Sequence, residues 1–237
     1  MGKNLIQQRR GKGSSTFRSP SFRYAGKAQH PKIQEDSSVG IIEEFVHSQG
    51  HSAPLMVVSY PDELNLTIAP EGVRIGGEIA FGKGAEIYPG NTLPLGEIPE
   101  GTPIFNIESK PGDGGKFVRS SGASARIVSK SKDKVVVKLP SKKQKEFSVR
   151  CLATIGNAAG SGRTEKPIMK AGTKYYKMKA KNKYWPSVSG TSMNAVAHPF
   201  GSKGSSTKGR PTQSPRNAPP GRKVGKIAPR RTGRKNR

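Results

Sequence analysis

The sequence has very little cysteine and no long apolar run. Cys151 is the only cysteine among 237 residues, so a disulfide within the chain is excluded, which fits a reducing compartment. Its strand-like flanks predict that Cys151 is a small buried hydrophobic residue. No stretch approaches the ~18–20 apolar residues of a membrane-spanning helix, and the N-terminus lacks the apolar core of a signal peptide. We therefore expect a cytoplasmic protein with no membrane partner.

Acidic residues are also scarce. Sixteen Asp and Glu stand against forty-two Lys and Arg, which gives a formal net charge of +26. Residues 1–36 hold eight basic and two acidic residues, residues 37–155 hold fourteen and thirteen, and residues 156–237 hold twenty and one. In a compact body with this imbalance the positive charges repel one another unless a polyanion neutralises them, so nucleic acid is the expected partner. An anionic membrane is the alternative, but the basic segments are too rich in Gly and Pro for the amphipathic helix that it requires.

Few groups are suited to catalysis or metal binding, because the carboxylates form no convincing cluster. His47 and His51 are four residues apart, but they lie on a predicted turn without the further ligands of a metal site. RNA contacts or turn hydrogen bonds are favoured for them. The glycine-rich residues 111–115 lack the Gly-Lys-Ser/Thr ending of a phosphate loop, so a hairpin turn is predicted. We expect no enzyme, no metal site and no cofactor, and leave open Mg²⁺ or K⁺ ions shared with RNA.

The middle of the chain carries short β-branched runs. A first series of strands is predicted at residues 39–47, 53–60, 64–69 and 74–81. Residues 91–102 are predicted to connect it to a second series, at residues 103–107, 116–118, 123–129, 134–139, 146–150 and 152–155. Short strands separated by tight turns predict small antiparallel barrels. Residues 174–183 are left open between a short helix and an extended arm, and from Gly201 onward we expect no core.

Aromatic residues alternate with basic ones in both end segments. Phe17, Phe22 and Tyr24 are interleaved with arginines and are predicted to stack on bases or to pack against sugars; a disordered basic tail is the alternative. Residues 185–204 hold the only tryptophan, Trp185, together with His198 and no acidic residue. An enzymatic interpretation would make His198 a general base, but neither a nucleophile nor a carboxylate accompanies it. A loop that donates to RNA phosphate or sugar is favoured.

A series of short motifs runs in order along nearly the whole chain. They are GKG at 11–13, HSAPL at 51–55, APEG at 69–72, GNTLPLGEIPEGT at 90–102, NIE at 106–108, PGDGGK at 111–116, RSSG at 119–122, ATIG at 153–156, GR at 162–163, KP at 166–167, KAG at 170–172, WP at 185–186, MN at 193–194, HP at 198–199 and PPGRKVGKIAPRRTGR at 219–234. In number and order these motifs resemble the universal large-subunit ribosomal protein number two family, in its archaeal/eukaryotic-like form.

The resemblance implies a mainly β fold with two domains. An oligonucleotide-binding-type five-stranded barrel would occupy residues 37–88 and an SH3-like barrel residues 89–160. Long basic irregular extensions would cover residues 1–36 and 161–237, with an RNA-contacting loop at 185–204. Members of this family bind the large-subunit rRNA, help to assemble the peptidyl-transferase region and support subunit association and tRNA binding. The implied partners are that rRNA, other ribosomal proteins, the small subunit at the intersubunit face, and tRNA.

The family's much-discussed histidine falls on His198. This sequence departs from the bacterial pattern, because Phe200 stands where a second histidine would be and Ala197 replaces an aspartate. Any function that needs paired histidines therefore fails here.

The residues predicted to contact RNA share positive charge, an aromatic ring or a place in the 185–204 loop. Arginines near the barrels are favoured because a guanidinium binds phosphate through two parallel hydrogen bonds. The predicted set is Arg9, Arg10, Lys12, Phe17, Arg18, Arg23, His51, Arg119, Arg126, Arg150, Arg163, Lys166, Lys170, Lys174, Trp185, Met193, Asn194, His198, Lys203, Arg222, Lys223, Arg230 and Arg231. A non-ribosomal architectural binder of polyanions is the alternative function, although it would not require the ordered motifs between Gly90 and Gly122.

Overall fold

The structure, a computed structural model, describes residues 2–32, 37–202 and 211–231, and in these residues it is mainly β. The strands are β1 Ser38–Val46, β2 Leu55–Ser59, β3 Leu64–Ile68, β4 Glu78–Phe81, β5 Thr92–Pro94, β6 Pro103–Phe105, β7 Ala125–Lys130, β8 Lys134–Lys138, β9 Gln144–Ser148, β10 Leu152–Ile155, β11 Gln213–Ser214 and β12 Lys226–Ile227. The α-helices are α1 Ile6–Gly11 and α2 Ala171–Lys179, and 3₁₀ turns occur at Ser15–Phe17, Ser21–Arg23, Ser161–Thr164 and Gly190–Ser192.

The chain divides into two compact units that do not follow chain order. One unit, here called the middle unit, is Pro20–Met169. The other joins the two ends of the chain, Met1–Ser19 and Lys170–Arg237, and is called the terminal unit. The predicted domain boundaries at residues 36, 88 and 160 stay predictions.

The middle unit is built on one ladder of ten strands in the order β3-β2-β1-β4-β5-β10-β6-β7-β8-β9. Neighbouring strands are antiparallel except β4 and β5, which are parallel and joined by the single pair Phe81 and Thr92. The sequence Lys-Val-Val-Val-Lys of β8 shows why such segments extend: Val135 and Val137 are fully buried while the flanking lysines are exposed. This alternation places one face of the strand on the core.

Three apolar clusters fill the middle unit. Residues of β5, β6, β7, β8, β9 and β10 supply the largest cluster, which includes Ile104, Val137 and Phe147. Two smaller clusters are formed around Leu55 and Ile68, and around Met56 and Ile79. The two smaller clusters share no buried residue with the largest cluster.

Cys151 belongs to the largest cluster and is fully buried, which confirms the prediction from its flanks. Burial also raises the pKa of the Cys151 thiol, so the group is poorly suited to act as a nucleophile. Its role here is to fill the core.

Most predicted strands form within about two residues of their predicted positions, and two predictions are wrong. Residues 116–118 do not form a strand: Phe117 makes only an isolated bridge with Ile107, and Val118 has a φ of 54°, which interrupts an extended run. Residues 91–102 are more than a connection, because Thr92–Pro94 forms β5. Three residues between turns carry too little periodicity to be detected, and pairing with β10 is what extends them.

The terminal unit has a core of its own. Leu5, Phe200 and Val224 are buried together, and β11 and β12 pair in parallel. The expectation of no core from Gly201 onward is therefore wrong. The reason is that Val224 packs with a residue from the opposite end of the chain, which a local pattern cannot show. Within the residues left open between helix and arm, α2 covers Ala171–Lys179.

Candidate nucleic-acid interface

The two units differ sharply in charge. The terminal unit holds twenty-three Lys and Arg and no Asp or Glu, whereas the middle unit holds nineteen basic and sixteen acidic residues. The terminal unit thus has a net charge of +23 and the middle unit +3, which together account for the +26 of the chain. A unit of this charge is stabilised by a polyanion that it can bind.

Helix α2 presents cations and aromatic rings to solvent. None of its residues is buried, and the Lys174 Nζ lies 5.4 Å from the ring centroid of Trp185. The rings of Tyr175 and Tyr176 are 5.5 Å apart. Proteins that bind single-stranded nucleic acid combine cationic side chains, which contact phosphates, with aromatic rings, on which bases stack.

The two ends of the chain are joined beside this helix. Asn182 Nδ2 donates to the carbonyls of Ser15 at 3.1 Å and Arg18 at 3.0 Å. The ring centroids of Phe17 and Tyr184 lie 6.4 Å apart. Phe17 and Arg18, predicted RNA contacts, therefore also take part in contacts that hold the terminal unit together.

The loop that follows Trp185 is closed by backbone hydrogen bonds. The N–H of Ser202 donates to the Met193 carbonyl at 3.0 Å, and the N–H of His198 donates to the Asn194 carbonyl at 3.1 Å. The N–H of Lys3 donates to the Val196 carbonyl at 2.8 Å, so the N-terminal segment pairs with the outer part of the loop.

His198 is held in one orientation. Its Nδ1 accepts a hydrogen bond of 3.0 Å from the backbone N–H of Phe200, so the neutral ring carries its proton on Nε2. The ring packs against Gly190, where any Cβ would collide with it. Burial lowers the pKa of His198, and the terminal unit contains no Asp or Glu side chain to raise it. This histidine is therefore a neutral hydrogen-bond donor at physiological pH.

Four of the predicted residues share one cavity of the terminal unit. The cavity has a volume of about 560 Å³, and Arg9, Lys12, Met193 and His198 line it together with Lys3 and Tyr184. The sequence pattern does not single out these last two. Tyr184 could have been found from its place in the lysine–aromatic run that ends at Trp185, whereas nothing in the sequence distinguishes Lys3 from other basic residues.

Arg119 has two partners inside the middle unit. Its guanidinium donates to the carbonyls of Gly115 at 2.8 Å and Ala28 at 2.6 Å. The side chain is partly buried, and burial lowers its pKa. Arg119 thus fastens the segment at Ala28 to the turn at residues 111–115, and RNA contact by it stays a prediction.

The other predicted arginines of the middle unit lie at its surface. Arg126 on β7 and Arg150 after β9 are exposed, while Arg163 donates through Nε to the Ser121 hydroxyl. The Arg23 guanidinium lies 5.2 Å from the centroid of Phe22, a ring that is 82% exposed. An exposed ring next to an arginine is a suitable stacking platform for a base.

Of the two histidines at residues 47 and 51, His51 contacts the turn that precedes it. Nδ1 of His51 lies 3.0 Å from the Ser48 hydroxyl, within hydrogen-bonding distance. A turn hydrogen bond is one of the two roles that the sequence favours for this histidine. Among residues 2–32, 37–202 and 211–231 no three His, Cys, Asp or Glu side chains converge as metal ligands would. The turn at residues 111–115 is present and is not followed by a helix.

The remaining predicted contacts are spread over the chain. Lys166, Lys170, Arg230 and Arg231 are exposed, Arg10 is exposed on α1, and Arg222 and Lys223 are half-buried. Asn194 is exposed on the loop, and Trp185, half-buried, precedes a cis peptide bond. Lys203 lies outside the described residues. Within the described part of the chain, no helix is both long and apolar enough to cross a membrane.

Comparison with known proteins identifies the family. The model of the family described as "Ribosomal Proteins L2, C-terminal domain" matches residues 88–220. "Large ribosomal subunit protein uL2" of Haloarcula marismortui is 52% identical over 236 residues, which cover 99% of this chain and 98% of that protein. The uL2 proteins of Methanocella arvoryzae and Methanococcoides burtonii are 54% and 49% identical, over 98% and 99% of this chain and 99% and 100% of their own lengths. The chain belongs to the ribosomal protein L2 family, also named uL2.

Proposed function

We propose that the chain is a structural constituent of the large ribosomal subunit and binds the large-subunit rRNA. The observation that carries this proposal is the terminal unit with twenty-three basic and no acidic residues. A unit with this excess of positive charge binds most tightly to a partner with a dense array of phosphates. The printed name of the relatives, a large ribosomal subunit protein, supports the same partner.

We further propose that the ten-stranded ladder divides into an oligonucleotide-binding-type barrel and an SH3-like barrel, at residues 37–88 and 89–160. The link between β4 and β5 is a single parallel pair, Phe81 with Thr92. The cluster around Met56 and Ile79 lies among β1 to β4, and the largest cluster lies among β5 to β10, whereas the cluster around Leu55 and Ile68 also includes Phe105 of β6. Two small barrels would give rRNA a preformed binding surface.

In this proposal the protein acts by binding and by shaping RNA. Lys and Arg pair with phosphates and release counterions, and exposed rings stack on bases that are splayed out of A-form helices. No catalysis is assigned to the protein, because Nδ1 of His198 is already occupied as the acceptor of the Phe200 N–H and its unit holds no Asp or Glu side chain. The proposal includes contacts with other ribosomal proteins, the small subunit and tRNA near the peptidyl-transferase region, and Mg²⁺ or K⁺ ions shared with rRNA.

The test is whether the full chain remains with the large ribosomal subunit after a high-salt wash. Affinity of the purified chain for large-subunit rRNA should fall linearly on a plot of log K against log salt, with a slope that reports the phosphates contacted. An architectural binder of any polyanion would bind unrelated RNA or DNA as tightly as it binds large-subunit rRNA, whichever salt concentration is used for the comparison. That result, or loss of the protein from washed subunits, would contradict the proposal.

A further inference from the structure

The cavity of about 560 Å³ in the terminal unit is a separate feature from the exposed basic surface. Its volume lies in the range of sites that enclose a small molecule, ~300–1,000 Å³. One wall comes from the N-terminal segment, with Lys3, Ile6, Arg9 and Lys12, and the other comes from Tyr184 and the loop up to His198. The bond from the Lys3 N–H to the Val196 carbonyl, 2.8 Å long, joins the two segments. The cavity therefore exists only because the ends of the chain fold together.

The charge of the lining selects an anion. Lys3, Arg9 and Lys12 line the cavity, and the whole terminal unit offers them no Asp or Glu side chain. Arg9 belongs to the last turn of α1. The guanidinium is suited to phosphate, which it binds through two parallel hydrogen bonds.

The rest of the lining selects a flat, partly apolar group. Tyr184 is 43% exposed, so its ring is accessible, and Met193 and Ile6 add apolar surface. Thioether and aromatic side chains both pack on the face of a base. His198, which also lines the cavity, carries its proton on Nε2 and adds a directed hydrogen-bond donor.

We propose that this cavity receives one unstacked nucleotide of the rRNA, with the base against Tyr184 and Met193 and the phosphate at Arg9 and Lys12. This inference rests on the proposed function and names a single-nucleotide site within it. An acidic peptide of a neighbouring protein would satisfy the three cations but would leave the ring and the thioether without a flat partner. The lining therefore favours a nucleotide over a carboxylate-bearing peptide.

The test compares matched variants of the full chain that bind a short single-stranded oligoribonucleotide with one fluorescent base analogue. Arg9→Gln and Arg216→Gln each remove one positive charge from the terminal unit, and only Arg9 lines the cavity; Arg216 is exposed. Tyr184→Ala is matched by Tyr88→Ala, a ring that is 63% exposed and does not line the cavity. Arg9→Gln and Tyr184→Ala should each weaken binding about tenfold, since one stacked base contributes on the order of tenfold in affinity. Their controls should weaken it less than about twofold, as expected for one distant charge or ring.

A conservative variant and two other ligands complete the design. Tyr184→Phe keeps the ring and should restore both affinity and the quenching of the base analogue. Polyphosphate and poly-glutamate serve as anions without bases; both should bind with no dependence on Tyr184.

Equal losses in Arg9→Gln and Arg216→Gln, together with equal losses in Tyr184→Ala and Tyr88→Ala, would mean diffuse electrostatic binding and would overturn the site. Poly-glutamate binding that depends on Tyr184 as strongly as oligoribonucleotide binding does would replace the nucleotide with a peptide and would also overturn it. Either outcome leaves the proposed function standing if the wild-type chain still binds large-subunit rRNA. Failure of the wild-type chain to bind that rRNA would instead contradict the proposed function.

Discussion

The backbone N–H of Phe200 donates to Nδ1 of His198 at 3.0 Å, while the Phe200 ring is buried with Leu5 and Val224. One residue therefore anchors the loop in the core of the terminal unit and also determines which nitrogen of His198 carries the proton. The bacterial family pattern has a histidine at the position of Phe200. Here an apolar side chain fills that position, which suits anchoring rather than paired acid–base chemistry.

We predict that Gly190→Ala raises the pKa of His198 toward its ordinary value of 6.5. The imidazole packs against Gly190, and an added Cβ would collide with it. The ring would then move into solvent and lose the burial that lowers its pKa. NMR titration of the imidazole protons measures the change. Gly172→Ala on α2 is the matched control, because a Cβ there meets nothing within 4 Å; an unchanged pKa in Gly190→Ala would contradict the packing.

The middle unit should lose stability as the pH falls from about 6.5 to about 4, because of His30. Nε2 of this buried histidine donates to the Asn106 carbonyl at 2.6 Å, and desolvation by burial lowers its pKa to about 4. The unfolded chain binds this proton at a higher pH than the folded chain, so the stabilisation is complete above 6.5 and is lost on acidification. The loss amounts to about 3 kcal/mol in the free energy of unfolding.

Urea denaturation at a series of pH values measures this effect. His30→Gln keeps a donor for the Asn106 carbonyl and should flatten the curve between pH 4 and 6.5. His47→Gln, at an exposed position, should leave the curve unchanged. Equal slopes for wild type and His30→Gln would rule out His30 as the source.

Glu108→Gln should destabilise the middle unit by about 2–4 kcal/mol. The carboxylate is 1% exposed and accepts backbone N–H bonds from Gly112 at 3.2 Å, Gly114 at 3.0 Å and Leu152 at 2.9 Å. A glutamine would place an NH₂ group against at least one of these donors. Chemical denaturation measures the loss, and Glu100→Gln, a surface acceptor for the Lys130 N–H, should cost less than about 1 kcal/mol. Equal costs would mean that the buried oxygens do not organise the turn at residues 111–115.

Val224→Ala should destabilise helix α1, which is far from Val224 in the sequence. Val224 is 3% exposed and packs with Leu5, the residue before α1. Removing its two methyl groups costs about 2 kcal/mol of local stability, so the amides of α1 should exchange with deuterium at least about tenfold faster. Hydrogen exchange read by mass spectrometry detects this. Ile227→Ala, at a side chain that is 46% exposed, should leave α1 unchanged; rapid exchange of α1 already in the wild type would contradict a folded terminal core.

Local pattern alone determined much of this protein. Alternating burial along Lys134–Lys138 follows from period-2 spacing, and the burial of Cys151 follows from its strand-like flanks. The charge excess at the two ends and the order of the family motifs are properties of the chain that no fold can change. These features come from neighbours in sequence, which is why they could be predicted.

Only the tertiary structure decided what the ends of the chain do. Leu5 and Val224 are far apart in sequence yet share one core, and Lys3 meets Tyr184 at one cavity. Arg119, whose RNA contact stays a prediction, donates to the carbonyl of Ala28 from 91 residues away. In each case the partner is chosen by chain folding over long sequence separations, where the entropy of loop closure is offset by burial and hydrogen bonding that no local window contains.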